Sequence, residues 1–327
     1  RKIIKKSMKA IFKFAIIFIL FLQLYGCDFD EIKSVATSGE MFIVVDENVE
    51  PLMKDEIAEF ERLNKEAKVV MKTEPTSNAI VDLINKDTKL IVVSRNLNEE
   101  ERKIIEKNKI EVTEHPLAID GIGFIVNKDN PIKRITSDDL KNIFSGEYKY
   151  WSDIKVQDEE QNKAARQFFK GDLNKIKVYI QRKNSATNKY IQDSILRNLE
   201  YSVTAVTCST SVQMLNSIRE SENAIGIITM NWLSLGKQDT IDTTVNTLRV
   251  SKINETGFQE DFAEFHQGLL FNGKYPYRRT IYVLSSEPGI SLATGFINFL
   301  INTDGQKVVL KNSLVPVSQP IRTIQIN

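Results

Sequence analysis

The sequence predicts an α/β protein large enough for two domains with two hydrophobic cores. Three observations carry this expectation. The chain has 327 residues, 42% of them hydrophobic and 27% charged, with only 14 Gly and 8 Pro, an ordinary globular mixture. From residue 41 onward, short apolar runs alternate with amphipathic segments, which is how strands and helices alternate around an open parallel sheet. A similar rhythm resumes after residue 120.

Met41–Val45 is a continuous apolar run bounded by Gly39 and Asp46, the pattern of a buried strand. Val49, Leu52, Met53, Ile57, Phe60 and Leu63 then recur at spacings of three and four and predict a helix. Val69–Met71 reads as the second strand, and Ile80, Leu83 and Ile84 mark the second helix. Leu90–Val93 is the third strand; Asn98 and the acids Glu99–Glu101 suit the start of a third helix. Beyond residue 120, Ile122–Val126, Lys177–Gln181 and Ala224–Thr229 read as strands. Ala186–Leu199 predicts a helix with Tyr190, Ile191, Ile195 and Leu199 inward, and Val212–Ile218 another. The tail predicts a strand at Thr280–Leu284, a helix at Ile290–Leu300, a second helix from about Asp304, and an end at Val315-Pro316. Tyr148–Lys175 is polar and weakly patterned, an expected surface excursion in which Trp151, Phe168 and Phe169 are packing residues, as is Trp232.

The first thirty residues differ from the rest. Arg1, Lys2, Lys5, Lys6 and Lys9 form a basic head, and an apolar run from Phe14 to Leu22 leads to Leu24-Tyr25-Gly26-Cys27. Such a head, a short apolar stretch and a small residue describe an export signal. The run is short for a bilayer core of about 30 Å. Its Leu-x-Gly-Cys ending resembles a bacterial lipobox, which implies a signal over residues 1–26, lipidation of Cys27 and a tether over 27–39. The alternative is an uncleaved anchor helix; both place the body outside the cytoplasm, in the cell envelope and tied to a membrane.

Charge and rare residues exclude several classes. Six of the 44 basic residues precede Cys27 and no acid does, which leaves 38 basic against 43 acidic residues, a net charge of −5. A nucleic-acid binder needs a basic surplus. Only Cys208 remains once Cys27 carries lipid, so no internal disulfide is expected, and Cys208 reads as a small buried residue at a strand end. His115 and His266, the two histidines, lie far apart and argue against a His-based metal site or a Ser-His-Asp triad.

Several segments together resemble the phosphate-binding protein family of ABC transporters. They are Asp120-Gly121-Ile122-Gly123-Phe124-Ile125-Val126-Asn127, Leu140-Lys141-Asn142-Ile143-Phe144-Ser145-Gly146 followed by Trp151, and Arg182 with Ser185-Ala186-Thr187. Ala224-Ile225-Gly226-Ile227, Tyr275-Pro276 with Arg279 and Tyr282, and Phe296, Phe299-Leu300, Gly305-Gln306 and Val315-Pro316 continue the series in order. The resemblance implies a type II periplasmic-binding-protein fold: two α/β lobes joined by two crossover segments, with a ligand cleft between them. Lobe one is expected over residues 40–119 and 276–327, lobe two over 120–275. The first part of lobe one departs from the family: Asp46-Glu47-Asn48-Val49 replaces a Gly-Ser-Ser-Thr-like loop, Pro75-Thr76-Ser77-Asn78 replaces Gly-Ser-Gly, and Ser94-Arg95 stands where many members have an acid.

The candidate ligand residues follow from the chemistry of an oxyanion. A dianion is costly to bury unless donors and opposite charge replace its water, and helix N-termini supply both. Ser185, Ala186 and Thr187 precede or open a predicted helix, and Arg182 can donate a bidentate pair; a plain Ser/Thr cap beside a surface arginine is the other reading. Thr76 and Ser77 have the same two readings. Ser94 and Arg95 follow the third strand, where open α/β sheets bind ligands, though Arg95 could equally be a surface residue. Asp46, beside Asn48, either accepts a hydrogen bond from a protonated oxygen of the oxyanion or caps the helix that starts near Asn48. The resemblance thus implies a monomeric, lipid-anchored binding protein that captures inorganic phosphate and delivers it to an ABC permease, with no cofactor, no metal and no catalytic residues. The alternatives are another small oxyanion or organic phosphate as ligand, a sensing role in place of transport, and, less in keeping with so few nucleophiles, an enzyme.

Overall fold

The computed structural model describes residues 35–318 except 155–157, 198, 238–239 and 255. The expected signal segment, Cys27 and most of the tether lie outside the described residues. Among the described residues, no helix is long and apolar enough to cross a membrane.

Strands and helices alternate at first as the sequence predicts: β1 (Ser38–Asp46), α1 (Glu50–Leu63), β2 (Glu66–Glu74), α2 (Thr76–Asn85), β3 (Leu90–Val93) and α3 (Glu99–Lys107). Strand β1 pairs in parallel with both β2 and β3. Its apolar run is continuous because both faces are covered: Ile43 and Val45 enter one core, Val44 the other. Strand β3 divides in the same way, with Leu90 and Val92 facing one core and Ile91 and Val93 the other. Asn98 and Glu101 form a reciprocal cap on α3, which satisfies N–H groups that the helix itself cannot.

The middle of the chain comprises β4 (Thr113–Asn127), β5 (Arg134–Thr136), α4 (Ser137–Ser145), α5 (Glu159–Phe168), β6 (Lys177–Gln181), α6 (Ala186–Ile191), β7 (Val206–Cys208), α7 (Ser211–Glu220), β8 (Ala224–Thr229), α8 (Met230–Leu233), β9 (Val245–Thr247), β10 (Arg249–Ser251) and α9 (Gln267–Phe271). The tail adds β11 (Arg278–Ser285), α10 (Leu292–Ile301), α11 (Thr303–Lys311) and β12 (Val315–Pro316). The main strand order is β2-β1-β3-β11-β4-β8-β6-β7. Two parallel groups therefore flank an antiparallel pair, β11 and β4, rather than forming parallel sheets alone. Strand β4 serves both groups: its first half pairs with β11 and its second with β8 and β9.

Two expectations are corrected. The segment from Tyr148 to Lys175 is not merely a surface excursion, because Trp151 is buried and stacks on Phe169 with ring centroids 5.1 Å apart. Its indole N–H donates to the Asn223 carbonyl at 3.1 Å, and the polar helix α5 lies between Trp151 and Phe169 in the sequence. The helix predicted over Ala186–Leu199 is regular only to Ile191, widens into a π turn over Gln192–Leu196, and stops at Arg197, whose φ is 56°. Ile191 and Ile195 are buried as expected, whereas Leu199 is 43% exposed. Cys208 ends β7 and is buried.

Candidate functional site

The carboxyl end of β1 and the turn after it meet the starts of α2, α6 and α7, the edge at which open α/β sheets hold ligands. Asp46 is the last residue of β1 and is fully buried. One carboxylate oxygen accepts from the backbone N–H and the side-chain amide of Asn48, both at 3.1 Å; the other accepts from the Thr76 hydroxyl. The capping reading of Asp46 is therefore observed, on a short 3-10 turn over Glu47–Val49 that precedes α1, with Thr76 as an added donor.

Asn48 carries the network onward. Its side-chain oxygen accepts from the Thr187 hydroxyl at 3.2 Å, and Thr187 in turn accepts from Arg279 Nη1 at 3.0 Å. Arg279 lies on β11 directly opposite Asp120 on β4 and pairs with it, Nη2 to Oδ2, at 3.4 Å. The chain of contacts Thr76–Asp46–Asn48–Thr187–Arg279–Asp120 thus joins residues far apart in sequence through buried side chains. Burial pushes the Asp120 carboxyl up to about 6, while Arg279 and the N–H groups of Gly121 and Asn231 act to lower it. Arg279 Nε–H is buried and has no acceptor among the described residues, and neither has the buried Ser94 hydroxyl a partner. Ser94 follows Val93, which pairs with Tyr282 of β11, so the register brings Ser94 and Arg279 to the same corner of the sheet.

A second set of contacts lies beside the first. Glu47 accepts from the Ser211 N–H at 2.7 Å and from the Ser211 hydroxyl at 3.2 Å. Burial raises its carboxyl from 4.5 to about 7, against the lowering effect of the Ser211 N–H, with Asp46 and Glu50 adding to the rise. The Glu47 carbonyl accepts from the Trp232 indole at 3.1 Å, and the Asn48 carbonyl from the Asn231 amide at 2.8 Å. Asn231 also accepts from Leu52 N–H at 3.0 Å, one of the donors that the start of α1 leaves unpaired. Asn184 and Asn78 meet at 3.4 Å nearer the surface.

The other expected residues are distributed as follows. Ser185 caps α6, accepting from Asn188 N–H at 3.0 Å and donating to Gln181 at 3.2 Å. Ala186 is buried behind it, and Ser77 and Arg182 are half-buried. Arg95 is half-buried, and its guanidinium grips Glu101 through two bonds of 2.7 and 2.8 Å. Trp232 does more than pack, since it bonds across to the Glu47 carbonyl. Sequence reasoning missed Arg279, Asp120, Asn231, Glu47 and Ser211 as site residues. For Asp120 the available signal was a charge inside the apolar run Leu117–Val126, because a buried charge requires a partner. Among the described residues, no cluster of three or more His, Cys, Asp or Glu is placed to hold a metal.

The likeness to known proteins matches this architecture. The chain is 24% identical over 298 residues to the phosphate-binding protein PstS of Pseudomonas aeruginosa, covering 87% of this chain and 85% of that protein. It is 23% identical to the phosphate-binding protein PstS of Borreliella burgdorferi, over 88% of this chain and 91% of that one. Among solved structures, a phosphate ABC transporter substrate-binding protein from Clostridium perfringens with bound phosphate superposes with a TM-score of 0.68 at 21% identity, over 86% of this chain and 100% of the other. The family profile of the PBP superfamily domain matches residues 33–304. With that match over most of its length and a periplasmic-binding-protein fold, the chain belongs to the PBP superfamily.

Proposed function

We propose that the chain captures inorganic phosphate between two lobes, residues 40–119 with 276–327 and residues 120–275, and presents it to an ABC permease while anchored by lipid at Cys27. The observation that carries this reading is the buried Arg279, whose Nε–H lacks an acceptor among the described residues while its Nη1 reaches Thr187. An unpaired buried donor costs about 1–3 kcal/mol, and an oxyanion at this corner supplies the missing acceptor. Thr76, Thr187 and Ser94 contribute hydroxyls around it, and Ser77, Ser185, Ala186 and Arg182 line the approach. The relatives named as phosphate-binding proteins support the ligand, and their names describe binding rather than catalysis. No bond is broken in this scheme; lobe closure around the ligand is the working motion.

Calorimetric titration of phosphate into protein unfolded and refolded to remove carried-over ligand is the direct test. One-to-one binding in the micromolar range, about 8 kcal/mol of free energy, is expected. Arg182→Ala and Arg279→Met should each weaken it at least about tenfold, the loss of one charge-assisted contact. A folded wild-type protein that gives heat with molybdate or an organic phosphate but none with inorganic phosphate would replace the ligand and keep the cleft.

A further inference from the structure

The hydroxyls proposed to meet the oxyanion already have acceptors within the chain. Thr76 donates to Asp46, and Thr187 donates to Asn48 at 3.2 Å. Both acceptors sit on one turn, which Asp46 itself fixes by accepting from the Asn48 backbone at 3.1 Å. That same turn is bonded to the other half of the molecule at three further points: Glu47 to Ser211, the Glu47 carbonyl to Trp232, and the Asn48 carbonyl to Asn231. All of Asp46, Glu47 and Asn48 are buried. Carboxylate and carboxamide oxygens are the same kind of acceptor that an oxyanion offers.

We infer that the turn Asp46–Asn48 is a built-in stand-in for the ligand, so that the two halves close on it with no oxyanion present and an arriving oxyanion must displace Asp46 and Asn48 from Thr76 and Thr187. The displacement step rests on the phosphate reading above; closure without ligand does not. Affinity for the oxyanion is then set by competition inside the chain. Removing the stand-in raises affinity instead of lowering it, because the donors are released while the cleft loses a buried negative charge or a competing amide. Glu47, the Asn231 amide and the Trp232 indole act as positioning groups that hold the turn across the cleft.

Small-angle scattering of refolded, phosphate-free wild-type protein separates these ideas. The expected profile is that of the closed form and does not change when inorganic phosphate is added. Asn48→Ala and, as a variant that leaves the buried turn intact, Trp232→Phe should each shift the ligand-free profile toward a larger radius of gyration. A wild-type protein that is extended without phosphate and contracts on its addition overturns the inference. Titration supplies the second readout: Asn48→Ala should bind phosphate about fivefold more tightly than wild type, the equivalent of one hydrogen bond of about 1 kcal/mol. Weaker binding by the folded variant overturns the displacement step. If no protein binds phosphate, the phosphate reading fails, and the scattering comparison alone decides whether the turn closes the molecule.

Discussion

Glu47→Gln tests the electrostatics of the site without removing its shape. In the native protein the Glu47 carboxyl is raised from 4.5 to about 7, burial being the largest cause and the charges of Asp46 and Glu50 adding to it. Between those two values the native form holds a proton that the unfolded chain releases. Stability from this group is therefore complete below about pH 4.5 and is lost as pH rises through 7. A rise from 4.5 to about 7 corresponds to about 3 kcal/mol across that window. The amide of Glu47→Gln still accepts from the Ser211 N–H but cannot ionise. Urea unfolding at half-unit steps from pH 5 to 8 should show wild-type stability falling with pH more steeply than the variant, the two curves separating by roughly that amount. Asp120, raised to about 6, and Glu56, raised further by its burial, tilt both curves in the same direction and cancel in the comparison. Parallel curves would refute the placement of Glu47 as a buried, proton-binding contact.

Two further substitutions probe the frame. Arg279→Met leaves Asp120 buried without its cation and should cost about 3–5 kcal/mol in urea unfolding, most of it regained in the double variant with Asp120→Asn. Trp151→Ala removes a buried ring stacked on Phe169 and should cost about 3–5 kcal/mol, with phosphate binding unchanged in the protein that remains folded.

What could be read from the sequence was local. Strands β3 and β8 are legible as near-continuous apolar runs, because two-faced burial writes itself into consecutive side chains. Helix α3 was legible from Asn98 and its acids, since capping is a matter of neighbours. Helix α5 was not, because it buries Gln161 rather than an apolar stripe. The early end of α6 was hidden as well, since Ile195 keeps the helical spacing that the π turn interrupts. Asp46, Asn48, Thr76 and Thr187 were identified and do meet, whereas Arg95 turns to Glu101. The pairs Arg279–Asp120 and Glu47–Ser211 arise only when distant strands and helices converge, and nothing within a dozen residues of either partner announces the other.

The position of β11 also governs how the protein is made. It lies between β3 and β4, so Leu90 finds its partner Ser285 only after nearly the whole chain exists. Until then β3 offers a bare apolar edge of Leu90–Val93, the kind of strand that recruits other chains. Closing so long a loop is slow, and the first half of the sheet is the last to be completed. The same delay makes loss of the tail after Tyr275 a route to aggregation rather than to a smaller folded domain.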